Sequence, residues 1–203
     1  MISDLCSILL AFWQHIHEYD TWLLTHINQD WSNSFLDTVL PYLRETKFWF
    51  PLYLFLLIFV TMNFKAKGWW WVLGFVLVAA VSDIVSSKLI KENIIRIRPC
   101  RDVEVMQLIR FFVNYCPQSS SFTSSHATSH FAQAMFAFLT LRPVTGKWAL
   151  LFFVWAFIIA YTQVYVGVHY PFDVICGGLL GCGIGFALAK LFHNRVGMLS
   201  LDK

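Results

Sequence analysis

Residues 147–192 read KWALLFFVWAFIIAYTQVYVGVHYPFDVICGGLLGCGIGFALAKLF. Two long apolar runs, 147–166 and 171–192, are joined by a short turn. Each run has roughly the ~20 residues that an α-helix needs to cross a bilayer. Lipid offers backbone groups no water to bond with, so both runs are expected to be helical. The stretch predicts a helical hairpin in a membrane, with two ionisable side chains, His169 and Asp173, beside its turn.

The composition of the whole chain points the same way. Its 203 residues are 58% hydrophobic, 18% aromatic and only 13% charged, which lies outside the usual soluble range. Further apolar runs at 47–63, 68–90 and 125–141 bring the predicted spans to five. We predict an all-α, polytopic transmembrane helical bundle of five to six spans. It forms one domain over 1–203, with its helical core at 47–192. The small net charge of +3 and the lack of a basic tail predict no nucleic-acid partner.

Residues 1–46 mix apolar and polar residues more closely than the rest of the chain. The apolar run Leu9–Trp13 is too short to span, and histidines and acidic residues follow it. We predict one or two amphipathic helices lying at the membrane interface. Ser32 or Asn33 is placed to cap the second of them. A short, tilted first span is the alternative.

Basic residues mark alternate ends of the predicted spans: Lys65, Lys67, Arg142, Lys147, Lys190 and Arg195. Short cytoplasmic loops carry an excess of lysine and arginine, so these segments are predicted to be cytoplasmic. The opposite face then receives the end of span 68–90, the start of span 125–141 and the turn before span 171–192. Polar residues lie at all three points, and we expect them to meet in one pocket.

The first two polar groups suit an anion. Lys91 is followed after six residues by Arg98-Pro99, and Ser124-Ser125 precede a predicted helix. Arg98 offers a planar fork for two oxygens and Lys91 a point charge. The hydroxyls of Ser124 and Ser125 would join the free N–H groups of the helix start, which favours phosphate. The alternative is that the basic residues of this loop only anchor lipid headgroups.

The histidines add a reaction to this anion site. Asp173 could accept the N–H of one ring nitrogen of His169, which leaves the other nitrogen free to attack phosphorus. His126 could then protonate the leaving alcohol as a general acid. The alternative for His169 is a structural turn histidine. His126 and His130 also form an i, i+4 pair that could bind zinc, but the glutamate of the zinc-protease pattern is missing, and we predict no metal and no cofactor.

These residues together resemble the type 2 phosphatidic acid phosphatase (PAP2) superfamily. The pattern of that superfamily is Lys-x6-Arg-Pro, Pro-Ser-Gly-His and Ser-Arg-x5-His-x3-Asp. The matching residues are Lys91, Arg98, Pro99, Ser124, His126, His169 and Asp173, with Thr123 and Ser125 replacing the proline and glycine of the second part. The resemblance covers about half of the chain. It implies the same roles for the histidines and Asp173, phosphate contacts from the first two parts, and hydrolysis without a metal.

One departure from the pattern concerns charge. The Ser-Arg pair of the third part reads Thr162-Gln163 here. Gln163 is predicted to contact the phosphate through its amide, but it brings no positive charge. Arg96 and Arg101 are the candidates to compensate. The alternative is that Gln163 marks a different substrate or a weakened enzyme.

Two features of the long loop 91–124 are left open by the sequence. Cys100 and Cys116 form a disulfide if the loop faces an oxidising compartment, and are otherwise unpaired thiols. The stretch 105–113 is either a short helix on the membrane, lining a lipid entrance, or a loop that packs its own apolar residues.

The sequence therefore predicts an integral membrane lipid phosphatase that works through a phosphohistidine. The candidate substrates are undecaprenyl pyrophosphate, phosphatidylglycerophosphate, phosphatidic acid and lipid A 1-phosphate. A lipid phosphotransferase with the same site and a non-catalytic lipid-phosphate binder or transporter are the alternatives. The predicted location is the bacterial inner membrane, with the site facing the periplasm. Oligomeric state is not predicted.

Overall fold

The fold is a bundle of helices, as predicted. The computed structural model describes residues 2–201; residues 1, 202 and 203, at the ends of the predicted domain, lie outside this range. Within it there are helices and no strands. The α-helices are α1 (Ile2–Thr25), α2 (Ser34–Leu43), α3 (Phe50–Ile84), α4 (Ser125–Thr145), α5 (Leu151–Tyr165) and α6 (Pro171–Val196).

Helix α3 consists of two arms that fold back on each other at Lys65. The backbone angles of Lys65, a φ of 49° and a ψ of −125°, are not helical, and they divide α3 at this residue. A Cβ placed on Gly68 would overlap the carbonyl group of Val60. In a straight helix these two residues would be about 12 Å apart. The arms correspond to the predicted spans 47–63 and 68–90.

Three helical stretches are long and apolar enough to cross a membrane: Thr46–Ile90, Ser125–Tyr165 and Pro171–Val196. The first two have 45 and 41 residues, about twice the ~20 that one crossing needs. Gly146, with a φ of 59°, turns the chain between α4 and α5. Phe138 and Phe153 then pack with their ring centroids 5.4 Å apart. All five predicted spans fall in these stretches, to within one residue.

Helices α4 and α6 approach each other closely along a stripe of glycines. A Cβ on Gly181 would overlap the Thr128 carbonyl oxygen, and a Cβ on Gly177 would lie 2.8 Å from the Ser124 carbonyl oxygen. Small residues at four-residue spacing allow such backbone contact between membrane helices. The stripe therefore sets the start of α4, with its Ser-Ser-His, against the start of α6, with Asp173.

The N-terminal region forms two helices, α1 and α2, and the Asn33 side chain caps α2 by accepting the Leu36 N–H at 2.9 Å. Among the described residues α1 is not one of the stretches that meet the length and hydropathy criteria for a span. Leu24 of α1 and Leu40 of α2 belong to one buried cluster with Val164, at the end of α5. The N-terminal helices therefore cover the end of the bundle where the polar groups lie.

The long loop packs inward rather than forming the helix predicted as one possibility for 105–113. A single 3-10 turn, Val105–Gln107, is present, and Val105 is buried. The side chain of Asn28 binds the backbone N–H and C=O of Arg110, which gives the loop polar partners without a helix. Cys100 and Cys116 form a disulfide that closes the loop. The helix alternative is therefore wrong, and the loop alternative holds in part: Ile109, Phe112 and Val113 pack inward, whereas Met106 and Leu108 stay exposed.

Two glycines of α6 test the close approach to α4. We expect Gly181→Ala to lower the melting temperature in detergent, because overpacking costs about 1–3 kcal/mol. Gly183 lies on the same helix, and a Cβ added there would meet nothing within 4 Å. Gly183→Ala should therefore be neutral or stabilising by up to about 1 kcal/mol through helix propensity. Equal melting temperatures for the two variants would contradict the contact.

Candidate active site

The turn before α6 presents His169 and fixes Asp173. The backbone N–H of His169 donates to the carbonyl oxygen of Gln163 at 3.2 Å, which holds the turn against the end of α5. Pro171 is the first residue of α6, and Asp173 lies in its first turn. The Asp173 carboxylate accepts the Tyr170 N–H at 3.1 Å, as a capping side chain does. The local sequence therefore places this carboxylate beside His169.

The partners of the His169 ring assign its tautomer. Nε2 lies 2.9 Å from Nη1 of Arg98, and a guanidinium can only donate, so Nε2 carries the lone pair. Nδ1 therefore carries the proton. It faces Oδ2 of Asp173 at 3.6 Å and Oγ of Ser121 at 3.4 Å. The lone pair of His169 and the charge of Arg98 thus share one point, where an electrophilic and anionic group would bind.

Arg98 is held rigidly by the loop that follows the second arm of α3. Its Nε donates to the Ser119 carbonyl oxygen at 2.9 Å, and its Nη1 donates to the Val168 carbonyl oxygen at 3.1 Å. The residue is buried, and Pro99 begins the short 3-10 turn after it. Burial lowers the pKa of Arg98 to about 10, so the guanidinium still keeps its charge at neutral pH.

Asp173 belongs to a buried chain of charges that the sequence did not reveal. Its Oδ1 binds Nη1 of Arg96 at 2.6 Å, and Nη2 of Arg96 binds Asp20 of α1 at 2.7 Å. Ser121 Oγ donates to the other oxygen, Oδ2, at 2.5 Å. Asp20 also accepts the Phe172 N–H at 2.8 Å. Arg96 and Ser121 therefore orient Asp173, and α1 contributes to the site from 153 residues away in sequence.

The start of α4 lies against the same carboxylate-bearing turn. The Ser124 N–H donates to the Asp173 carbonyl oxygen at 3.1 Å, and its hydroxyl caps α4 at the Ala127 N–H, 3.4 Å away. The Ser125 hydroxyl lies 3.0 Å from Ser86 and 3.2 Å from Ser87, in the π-helical turn Val85–Ile90 that continues the second arm of α3. Both predicted phosphate-binding hydroxyls thus have partners within the protein. The Ser124 N–H joins α4 to α6, and the Ser125 hydroxyl joins α4 to the turn after α3.

His126 projects from the first turn of α4. Its ring stacks on His130 with the centroids 6.2 Å apart, and Nδ1 of His130 bonds to the His126 carbonyl oxygen at 2.8 Å. Lys91 is close enough for its positive charge to act on the His126 ring. Among the side chains that the structure describes, no three histidine, cysteine or carboxylate groups converge as metal ligands.

Lys91 and His169 are both shifted toward their neutral forms. Burial, and then the positive charge of Arg98, lower the pKa of Lys91 to about 8, and the carboxylates of Asp173 and Asp83 oppose this. Burial lowers the pKa of His169 to about 3, which the positive charge of Arg98 reinforces and the Asp173 carboxylate opposes. The imidazole is therefore neutral at physiological pH, as a nucleophile must be.

Gln163 and its candidate substitutes have other partners. Gln163 is buried on α5, and its side-chain N–H donates to the Ile159 carbonyl oxygen at 3.5 Å. Arg96 is committed to two carboxylates, and the exposed Arg101 donates to the Gln118 carbonyl oxygen at 3.0 Å. In this arrangement Gln163 acts on His169 through its backbone carbonyl.

A family model fits this chain from residue 69 to residue 196, and it describes the PAP2 superfamily. The chain belongs to the PAP2 superfamily. A lipid A 4'-phosphatase of Bacteroides thetaiotaomicron is 27% identical over 204 residues, covering 99% of this chain and 83% of that protein. The resemblance drawn from the three motifs is confirmed, and so is the enzyme class, a phosphatase.

Two solved PAP2 structures share the fold. The transmembrane PAP2-type phosphatidylglycerolphosphate phosphatase from Bacillus subtilis superposes with a TM-score of 0.68 at 23% identity, covering 96% of each chain. LpxE from Aquifex aeolicus gives a TM-score of 0.61 at 26% identity, over 83% of this chain and 93% of that one. The helical membrane bundle predicted from composition is therefore the PAP2 fold.

The lowered pKa of Lys91 predicts an alkaline limit for the reaction. The lysine loses its proton as the pH rises through about 8, so the free enzyme loses a cation for the anion. We expect kcat/KM for phosphate release to fall above that pH. Lys91→Arg should shift this alkaline fall in kcat/KM to a higher pH, because arginine stays protonated. If kcat/KM of Lys91→Arg fell at the same pH as in the wild type, another group would be responsible for the fall.

Proposed function

We propose that this PAP2 lipid phosphatase hydrolyses a lipid phosphate through a covalent phosphohistidine at Nε2 of His169. One observation carries the proposal. The lone pair on Nε2 of His169 faces Arg98, and the Nδ1–H of the same ring faces Asp173. A nucleophile, an oriented partner for it and a cation for the attacked group are the parts that phosphoryl transfer needs.

In the first step the phosphate replaces His169 as the partner of Arg98. Phosphate oxygens accept from a guanidinium more strongly than a neutral imidazole does, so substrate binding frees the lone pair. Nε2 attacks phosphorus, the N–P bond forms, and the P–O bond to the lipid breaks. His126 gives its proton to the departing oxygen. The Asp173 carboxylate stabilises the positive charge that develops on the His169 ring.

In the second step a water molecule attacks the phosphorus of the phosphohistidine. His126, now neutral, takes the proton of that water. The N–P bond breaks, its electron pair returns to Nε2, and inorganic phosphate leaves. His169 is again neutral with its proton on Nδ1, and His126 is again protonated. Neither step requires a group from outside the protein other than water.

An apolar cavity of about 400 Å³ between the first arm of α3 and α5 supports a lipid as the substrate. Trp49 and Trp155 are among its lining residues. Trp155 packs edge-on against His130 at 5.0 Å, and His130 stacks on His126. An acyl chain in this cavity would extend from the leaving-group end of the site.

The relative that matches nearly the whole chain is named for the 4'-phosphate of lipid A. This name supports a lipid A phosphate monoester as the first candidate, ahead of phosphatidic acid, phosphatidylglycerophosphate and undecaprenyl pyrophosphate. We further propose the bacterial inner membrane as the location, with the site facing the periplasm. The Cys100–Cys116 disulfide supports an oxidising side for the loop, and the basic turns of Lys65 and Arg142 lie at the opposite ends of the helices.

Phosphate release from a panel of lipids tests the proposed reaction. The detergent-purified protein is assayed with EDTA on lipid A, phosphatidic acid, phosphatidylglycerophosphate and undecaprenyl pyrophosphate. We expect phosphate release that survives EDTA. We also expect a quenched reaction to contain phosphorylated protein, whose N–P bond is labile in acid and stable in alkali. His169→Ala should show neither. Substrates rank by kcat/KM.

Two outcomes would contradict hydrolysis. If the lipid loses its phosphate while no inorganic phosphate appears, and an added alcohol or lipid gains it, the protein is a phosphotransferase. If the wild type and His169→Ala both stay at background on every lipid while binding them equally, the protein is a non-catalytic binder.

Leaving groups of different basicity test the role of His126. An alkoxide leaves only when protonated, whereas the lipid phosphate expelled from a pyrophosphate is a far weaker base. We expect His126→Ala to lower kcat about 10²–10⁴-fold on phosphatidic acid and much less on undecaprenyl pyrophosphate. His130→Ala removes a neighbouring imidazole of the same helix and should affect both substrates alike. Equal losses on the two substrates in His126→Ala would contradict the assignment.

A further inference from the structure

The buried guanidinium of Arg44 has no part in the proposed reaction. Arg44 follows α2, is only 5% exposed, and its Nε and Nη1 are buried without a hydrogen-bond partner among the described residues. Charged and polar groups buried without partners are costly, and native structures rarely keep them without a use. The other two buried arginines differ: Arg96 binds two carboxylates, and Arg98 has five backbone and side-chain acceptors around it.

Contacts on two sides fix the position of Arg44, and the first side is the chain around Leu43 and Trp49. The indole N–H of Trp49 donates to the carbonyl oxygen of Leu43 at 2.8 Å, and Trp49 packs on Trp155 at 6.1 Å. Trp155 in turn contacts His130, the residue on which His126 stacks. The end of α2 is therefore linked through Trp49 and Trp155 to the first turns of α4.

From the other side Arg44 faces the long loop. Its guanidinium lies 5.8 Å from the ring centroid of Tyr115. The residue after Tyr115 is Cys116, which forms a disulfide with Cys100, two residues after Arg98. The positive charge of Arg44 is close enough to act on both the Arg98 guanidinium and the His126 ring. Arg44 is thus near both Arg98 and His126, two residues of the proposed phosphate site.

A purely structural role explains these facts poorly. A cation at the end of a helix can favour the helix C-terminus through the macrodipole, but this leaves the two buried guanidinium nitrogens without acceptors among the described residues. The contact with Tyr115 is at the outer limit for a cation–π pair. Placing a positive charge near Arg98 also adds repulsion in the free protein, which a bound anion would relieve.

We propose that Arg44 is a phosphate-binding residue of the site, with its unpartnered Nε–H and Nη1–H donating to the phosphate opposite Arg98. This rests on the proposed phosphatase reaction and adds the cation that the Gln163 position does not provide. Two guanidinium groups on different sides would bind a phosphate through separate oxygens, each with the fork geometry that suits it. The N-terminal helix α2 is then part of the active site and not only a cover for it.

If Arg44 binds the phosphate, its substitution should change protein stability and phosphate binding in opposite directions. Arg44→Met keeps the length of the apolar stem and removes the charge. We expect the free protein to melt at the same temperature as the wild type or higher, because a buried unpaired charge has gone. We also expect the rise in melting temperature caused by orthovanadate or inorganic phosphate to be largely lost, and kcat/KM to fall about 10- to 100-fold.

Two further variants sharpen the test. Arg44→Lys keeps the charge without the fork and should lie between the wild type and Arg44→Met in both readouts. Arg101→Ala removes an exposed arginine that also acts on Arg98, and it should leave the vanadate shift nearly intact. Equal losses in Arg101→Ala and Arg44→Met would mean that only the general field matters and would overturn the proposal.

The wild type separates this proposal from the one on which it rests. If the wild type releases phosphate and is stabilised by vanadate, but Arg44→Met behaves the same, Arg44 does not bind phosphate and the phosphatase reaction stands. A lower melting temperature of free Arg44→Met with an unchanged vanadate shift would make Arg44 a structural residue and overturn its assignment. No release and no vanadate shift in the wild type would overturn the phosphatase proposal first.

Discussion

The buried carboxylate of Asp173 is the constraint on which the site depends. It faces the His169 ring, binds Arg96 and Ser121, and accepts the Tyr170 N–H that begins α6. Its own carbonyl oxygen accepts the N–H of Ser124. A charge removed from water is tolerated only where such partners surround it, so this residue orders the ends of several helices around itself. The orientation of the proposed nucleophile then follows from the same bonds that make the fold.

Helix packing supplies the second constraint. In lipid there is no hydrophobic force between helices, so close backbone contact and polar bonds have to hold them. Gly177 and Gly181 let α6 touch α4 directly, and the hydroxyls of Ser86, Ser87 and Ser125 join α3 to the same junction. The polar bonds concentrate at one end of the bundle, and most of the other contacts are apolar. The fold therefore gathers its hydrogen-bonding groups at the site and leaves the remaining helix surfaces to lipid.

The charges of the site are balanced unevenly, and this fits an enzyme that binds an anion. Arg96 is neutralised by Asp173 and Asp20, whereas Arg98 and Lys91 have no carboxylate in direct contact among the described residues. Their pKa values are lowered, which means that the free protein holds their protons less tightly than water would. A bound phosphate would reverse that effect. Binding strength is thus prepared in the free protein, first through burial of these cations and then through repulsion between like charges.

The sequence by itself determined the helical class, the five apolar segments, the membrane and the motif residues from Lys91 to Asp173, because lipid imposes helix length and these residues have fixed spacings. The PAP2 resemblance followed from those spacings. Only the tertiary structure decided that Asp20 and Arg96 hold Asp173, that 105–113 packs as a loop, and that Arg44 lies buried near Arg98. Asp20 and Asp173 are separated by 152 intervening residues, and such pairings depend on how helices pack, which no local pattern of residues encodes.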